Sequence, residues 1–139
     1  MSWLKRAQAR YSTGWVNVPI QPDDGYLLDG TGLFQVRRRG GADPAEDVVD
    51  YRLTGVGVLP GASSGSYLTP AGFIPPGFRC WFSERAAQPI GSVVGNVGFY
   101  WLGIIQGSRL RLAVSTTVPG TGQQAMQGTL TMLADGARP

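Results

Sequence analysis

The sequence predicts an all-β fold: an antiparallel β-sandwich of jelly-roll-like type, with a short N-terminal arm or helix. Glycine supplies 21 of the 139 residues and proline ten, without a Gly-X-Y period, which is typical of short strands joined by tight turns. Apolar and polar residues alternate in several segments, most clearly from Asp47 to Val58, as in half-buried strands. Helical spacing occurs in one stretch only, at residues 1–12.

Residues 1–12 are predicted to be an N-terminal docking arm, and residues 13–139 a single β-sandwich domain. Trp3 and Tyr11 belong to a series spaced by four residues, with Leu4 beside it, and so short a helix is marginal in water by itself. One interpretation is a frayed terminus. The other is an arm that docks Trp3, Leu4 and Tyr11 onto a neighbouring protein, which the early tryptophan favours.

The next segments carry strand signals. A first strand is predicted at Gly14–Pro19, a second at Gly32–Arg39 and a third at Asp47–Val58, with Gly55 and Gly57 marking a bulge in the third. In the second strand, Phe34 and Val36 are predicted to face the core. The three consecutive arginines at 37–39 are interpreted as surface or interface residues that guard the strand end.

A proline-rich corner at Leu68–Phe82 is predicted to organise the fold. Its prolines at 70, 75 and 76 exclude a helix and favour an extended path that turns twice. The corner then leads into a strand with Phe78, Cys80 and Phe82 on one face. The pattern indicates packing and not reaction.

The last third of the chain is predicted to contain a polar loop at 84–89, an apolar strand at 93–105, a hairpin partner at 109–114 and a final strand at 127–134. Both faces of the apolar strand are hydrophobic. Its second face carries Tyr100, Leu102 and Ile104, which either meet symmetry copies in an oligomer or pack under the loop at 115–124. Both alternatives stay open.

Composition excludes several kinds of chemistry. The chain has no histidine and one cysteine, Cys80, so the common hydrolytic triads, internal disulfides and usual zinc ligand sets are ruled out. Its nine acidic residues show no pair spaced for acid–base catalysis. Asp23, Asp24 and Asp29 lack EF-hand spacing and are interpreted as turn residues, with a bound ion the less favoured alternative. We therefore expect no enzyme activity, cofactor or metal.

Charge and hydropathy limit the partners. The net charge of +3 comes from eleven arginines and one lysine spread along the chain against nine acidic residues, which argues against nucleic-acid binding. No apolar segment is long enough to insert across a membrane as a helix, and no secretory signal is recognisable. Charged residues make up only 15%, which suggests that partners cover part of the surface.

Three blocks, in order, resemble the small β-sandwich of bacteriophage tail-fibre and baseplate proteins. They are the opening Gly14–Asn17, the strand pair Phe34–Arg38 with Val48–Gly55, and the corner Leu68–Arg79. This chain departs from the pattern by doubling the corner and lengthening the loop at 40–46. The resemblance implies a homotrimeric, non-enzymatic virion protein, assembled in the host cytoplasm and bound to other virion proteins.

The function expected from this resemblance is that of a minor tail or baseplate module, with contact to a host cell-surface glycan as an additional role. Tyr26, Tyr67 and Trp81 are the aromatic candidates for glycan contact. A capsid decoration protein or short head fibre, bound to the major capsid protein, is the alternative. A secreted carbohydrate-binding module is disfavoured because the signal and disulfides are missing.

Overall fold

A computed structural model describes residues 10–22, 30–58, 66–80, 86–93, 100–106, 108–114 and 124–139. These residues form a mostly antiparallel β-structure with almost no helix, so the all-β prediction is confirmed. The strands are β1 (Tyr11–Ser12), β2 (Val16–Val18), β3 (Leu33–Gly40), β4 (Val48–Val58), β5 (Ser66–Tyr67), β6 (Ala86–Val93), β7 (Tyr100–Gln106), β8 (Arg109–Val114) and β9 (Gln124–Leu133). One short 3-10 turn, Pro44–Glu46, precedes β4. In this part of the chain, no helix is both long and apolar enough to cross a bilayer.

The described strands follow one hydrogen-bonded path in the order β1-β3-β4-β9-β6-β7-β8-β5, with β2 also paired to β3. Strand β6 connects two parts of this path. Its residues 86–91 pair with β7, and its last two residues pair with β9. Leu110 of β8 lies in the same buried cluster as residues of β3, β4 and β9. The face-to-face stacking of two sheets stays a prediction.

The alternation predicted for the central strands is confirmed. Phe34 and Val36 of β3 and Tyr51 of β4 are almost completely buried, and β3 pairs with β4 over seven residue pairs. The predicted bulge is also present, because the β4–β9 register shifts between Leu53 and Val56. Gly55 lies there at φ 60, a left-handed conformation that favours glycine.

The proline-rich corner packs into the core, as predicted. Leu68, Ile74, Phe78 and Cys80 are all buried in the central cluster. The backbone N–H of Leu68 donates to the carbonyl of Leu110 at 2.8 Å. After the second turn, the described residues contain one isolated bridge, Cys80 with Ala134, in place of the predicted strand; residues 81 and 82 lie outside the described part.

Three predicted elements are wrong. The apolar strand expected at 93–105 does not begin at Val93, because Val93 is the last residue of β6 and pairs with β9, whereas β7 begins at Tyr100. The polar loop expected at 84–89 contains the start of β6, since Ala86 to Gly91 pair with β7. The strand was not predicted because residues 84–89 are mostly polar or small and include Pro89, which is typical of a loop. Tyr11 and Ser12 form β1 and pair with Gly40 and Arg39, so the helix predicted at residues 1–12 is wrong for the last two residues of that range.

The predicted hairpin, β7 with β8, is confirmed.

Candidate functional site: arginines on the two faces of β3

Three consecutive arginines of β3 organise the polar residues of the described structure. Because neighbouring strand residues point to opposite faces, Arg38 lies on the core side with Phe34 and Val36, and Arg37 and Arg39 lie on the outer side. The side chain of Arg38 is 0% exposed, against 31% for Arg37 and 47% for Arg39. The prediction that all three are surface or interface residues is therefore wrong for Arg38.

Arg38 is buried because its guanidinium group is surrounded by acceptors. Its Nε donates to Asp47 Oδ2 at 2.8 Å, and its Nη1 donates to the carbonyls of Gly77 and Ala137 at 3.1 and 2.9 Å. Its Nη2 donates to the carbonyl of Gly136 at 2.8 Å. An unpaired buried charge costs several kcal/mol, and this set of acceptors removes most of that penalty. Arg38 thus joins β3 to the corner and to the last residues of the sequence.

Arg38, Asp47 and Arg138 form an inner network of hydrogen bonds in which Asp47 is the shared acceptor. Arg138 binds it in a bidentate manner, with Nε and Nη2 each 2.8 Å from a carboxylate oxygen. The hydrogen bond from Arg138 lowers the pKa of Asp47 most strongly; burial opposes the shift, and Arg38 adds to it. The guanidinium of Arg138 also lies 4.0 Å from the ring centre of Tyr11. A Cβ at Gly40 would come 1.9 Å from Asp47 Oδ1, so glycine is required for this approach.

The inner network is a structural clamp. Both oxygens of Asp47 accept hydrogen bonds from arginines, so this carboxylate is not available as a general base. Its backbone carbonyl accepts from Ala134 N at 2.9 Å, which adds a second connection to the same segment. The clamp holds residues 134–139 against β3, β4 and the corner.

Asp50 forms the corresponding centre on the outer face of the sheet. Its carboxylate accepts from Arg37 Nη2 at 2.8 Å, from Arg39 Nε at 2.7 Å and from Thr131 Oγ1 at 2.7 Å. Burial raises the pKa of Asp50, but the hydrogen bonds from Arg39, Thr131 and Arg37 outweigh it, so the pKa lies below its ordinary value. The buried carboxylate holds both arginines in fixed positions on the outer face.

Trp15 covers part of this outer face. The guanidinium carbons of Arg37 and Arg52 lie 4.3 and 3.9 Å from its ring centre, within the range of cation–π interaction. Gln35 accepts from Arg52 Nε at 3.1 Å and donates to Asn17 Oδ1 at 2.9 Å. The segment that contains Trp15 and Asn17 is therefore anchored to β3 and β4 by polar and aromatic contacts.

An open groove runs beside β1 on this side of the molecule. Its volume is about 480 Å³, and it is lined by Arg10, Tyr11, Ser12, Arg37, Arg39 and Gly40. Three of the six lining residues are arginines, and Asp50 is the carboxylate that pairs with two of them. The groove is thus positively charged, and two of its arginines, Arg37 and Arg39, are oriented by a buried partner.

The predicted interface residues Tyr100, Leu102 and Ile104 occupy alternate positions of β7, which pairs with β6 and β8 on its two sides. Their common face, expected from the alternation of a strand, and their role in an oligomer both stay predictions. Trp3 and Leu4 of the predicted docking arm lie outside the described residues. Tyr11 lies in β1, where its ring contacts Arg138.

Of the aromatic residues predicted for glycan contact, Tyr67 is the one that the structure describes. Tyr67 lies in β5, with the guanidinium carbon of Arg109 3.3 Å from its ring centre. Tyr26, Trp81 and the three aspartates at 23, 24 and 29 lie outside the described residues. Within the described ranges, no group of three or more acidic or cysteine residues is placed to hold a metal ion. Cys80 is a buried cysteine of the central cluster.

Neither arginine–aspartate centre was predicted from the sequence. One signal was available: Arg38 occupies a core-facing position in the alternation of β3, between the positions of Val36 and Gly40. A core-facing arginine requires a buried acceptor, and Asp47 immediately precedes the next strand, β4. The contribution of Arg138 has no comparable signal, because it lies 91 residues from Asp47 in the sequence.

No protein-family model, curated protein or solved structure matches this chain.

Proposed function

We propose that this chain is a non-enzymatic structural protein of a bacteriophage particle, acting as a trimeric minor tail or baseplate module. The observation that carries the proposal is the use of charged groups in the described structure. Asp47 and Asp50 are buried, and both oxygens of each carboxylate accept hydrogen bonds, so we infer that they serve the fold and not a reaction. The order of the three sequence blocks that resemble tail-fibre and baseplate sandwiches supplies the particular role.

The oligomer is proposed from the apolar strand β7. Leu102 pairs with Pro89 of β6 and with Ala113 of β8, so both edges of β7 are occupied at this point. Contact with another subunit would therefore be made through a face of the sheet and not through an edge, and the face proposed is the one predicted to carry Leu102 and Ile104. A threefold arrangement would bury this face against its copies.

The N-terminal arm is proposed to bind the rest of the particle. In the structure, the sheet already includes Tyr11 and Ser12 through their pairing with β3. Tyr11 also contacts Arg138 of the inner network. We therefore propose that Trp3 and Leu4, which precede Arg10, make the contact, with Tyr11 at the point where the arm joins the sheet.

Co-sedimentation with particles tests this function. A tagged copy of the chain would be produced in cells in which the particle assembles, and the particles would be purified on a density gradient and analysed by quantitative mass spectrometry. We expect the chain in the particle band at a copy number divisible by three. Its complete retention in the soluble fraction would contradict the proposal.

A deletion of residues 2–9 provides the matched variant. Because it keeps Arg10 and the whole of β1, it should fold as the intact chain does, which circular dichroism and thermal unfolding would verify. We expect this folded variant to be absent from the particle band. Equal incorporation of both proteins would show that the arm is not the attachment element.

The capsid alternative is tested on the same particles. A decoration protein or short head fibre would remain with tail-less heads after dissociation, whereas a tail or baseplate module would remain with the isolated tails. Immunogold labelling of the tagged chain locates it directly. Gold on the heads would replace the tail assignment by the capsid assignment.

A further inference from the structure

We propose that the groove beside β1 binds a small ligand through an oxyanion group, a carboxylate or a phosphate, on a molecule of about the size of a monosaccharide. The groove is lined by Arg10, Tyr11, Ser12, Arg37, Arg39 and Gly40 and has a volume of about 480 Å³. This volume lies in the range of small-molecule sites. The inference concerns binding at this groove and is independent of the proposed virion role.

The positive charge of the groove favours an anionic ligand. Arg10, Arg37 and Arg39 line it, and Asp50 is the carboxylate that forms ion pairs with Arg37 and Arg39. Three positive groups against one negative group leave a local excess of two positive charges. Among the described residues, Arg10 has no ion-pair partner, and it is exposed. An oxyanion placed between these arginines would neutralise part of this excess.

Two of the three arginines, Arg37 and Arg39, are held in place before a ligand arrives. Asp50 binds Nε and Nη2 of both Arg37 and Arg39, and Thr131 fixes the carboxylate from the neighbouring strand. Within the described structure, Nη1 of Arg37 and Nη1 of Arg39 donate to no acceptor. Guanidinium groups match the geometry of carboxylates and phosphates, and fixed side chains lose less conformational entropy on binding.

The remaining lining residues suit a hydroxylated ligand. Ser12 Oγ accepts from Gly14 N at 3.1 Å, which leaves its hydroxyl hydrogen available as a donor. Tyr11 adds an aromatic ring whose position is fixed by Arg138. A sugar ring that carries a carboxylate or a phosphate combines hydroxyl groups with an oxyanion.

Three probes of matched size test the inference on the full chain: glucose, glucuronate and glucose 6-phosphate. Two-dimensional amide NMR would follow the backbone signals of Ser12, Arg39 and Gly40 during each titration. We expect saturable shifts with at least one anionic probe, with a dissociation constant in roughly the millimolar range, and none with glucose. Glucuronate and glucose 6-phosphate distinguish a carboxylate from a phosphate ligand.

Single arginine variants locate the binding. We expect Arg39→Gln to weaken binding about tenfold and Arg10→Gln about threefold, since each removes a charged donor. Arg39→Gln also removes a hydrogen bond to Asp50 and could alter the Asp50 centre. Arg10→Gln avoids this problem, because Arg10 forms no hydrogen bond or ion pair with the described residues. Arg111→Gln is the control, because it removes the same charge on β8, outside the groove, and should leave binding unchanged.

Three results would overturn the inference. The first is the absence of saturable shifts with both anionic probes. The second is an equal response to glucose, which would mean that the oxyanion is not recognised. The third is an equal loss of binding in Arg111→Gln and Arg10→Gln, which would indicate diffuse attraction to a basic surface in place of a defined groove.

Discussion

Replacing Asp47 with asparagine tests the inner network most sharply. The change keeps the size of the side chain but removes the charge that faces Arg38 and Arg138. Asp47 is 0% exposed and accepts one hydrogen bond from Arg38 and two from Arg138. Breaking a buried ion pair costs about 3–5 kcal/mol. Since the amide keeps one acceptor oxygen, we expect a loss of about 3 kcal/mol in the free energy of unfolding.

This loss is large compared with the whole stability of a domain, about 5–15 kcal/mol. For 139 residues, an unfolding entropy of about 2.1 cal/mol/K per residue converts 3 kcal/mol into a fall of about 10 °C in the melting temperature. Urea unfolding followed by tryptophan fluorescence would measure the free energy, and calorimetry would measure the melting temperature.

Asp43→Asn is the matched control for this experiment. Asp43 is exposed and accepts from Ala45 N at 3.0 Å as the cap of the 3-10 turn, and asparagine caps equally well. We expect its unfolding free energy to stay within about 0.5 kcal/mol of the unchanged protein. The account of the inner network would be refuted if Asp47→Asn also stayed within about 1 kcal/mol.

Three further predictions concern pH and packing. The pKa values of Asp47 and Asp50 are lowered in the folded state, so the two carboxylates stabilise the fold above the ordinary pKa of 3.8, and this stabilisation is lost as pH falls through the lowered values. Urea unfolding should therefore show a constant free energy from about pH 7 to 5 and a decline below about pH 4, and a free energy that rises on acidification would contradict this. Gly40→Ala places a Cβ 1.9 Å from Asp47 Oδ1 and should cost about 1–3 kcal/mol in urea unfolding, whereas an unchanged midpoint would show that the carboxylate moves without cost. Tyr51→Phe removes the 2.7 Å hydrogen bond to the Phe78 carbonyl and should cost about 1–2 kcal/mol; a more stable variant would contradict the role of this bond.

The local pattern of the sequence predicted the central strands well. Alternation correctly placed Phe34, Val36 and Tyr51 in the core, because the side-chain period of a strand depends on neighbouring residues alone. The bulge at Gly55 was also predictable from neighbouring residues, because a glycine that interrupts a strong strand pattern is typical of a bulge. The corner was also predicted to pack, because prolines restrict the backbone locally.

Long-range pairing was not predictable in the same way. The burial of Arg38 depends on Asp47 and on carbonyls of Gly77, Gly136 and Ala137, which are distant in sequence. The rule that charged residues lie on the surface fails where the fold supplies such partners. The strand at Ala86 was missed because its partner β7, and not its own composition, supports it.

The solution mass of the chain tests the proposed oligomer most directly. Light scattering at dilute and concentrated protein should give three times the chain mass of 14.8 kDa, about 44 kDa. The double variant Leu102→Asp, Ile104→Asp should give a soluble protein of 14.8 kDa. Leu133→Asp is the control, since Leu133 is half exposed on β9 and should leave the trimer intact. A mass of 14.8 kDa for the unchanged chain at every concentration would contradict the trimer, and a double variant that remains trimeric would contradict the assignment of its interface to β7.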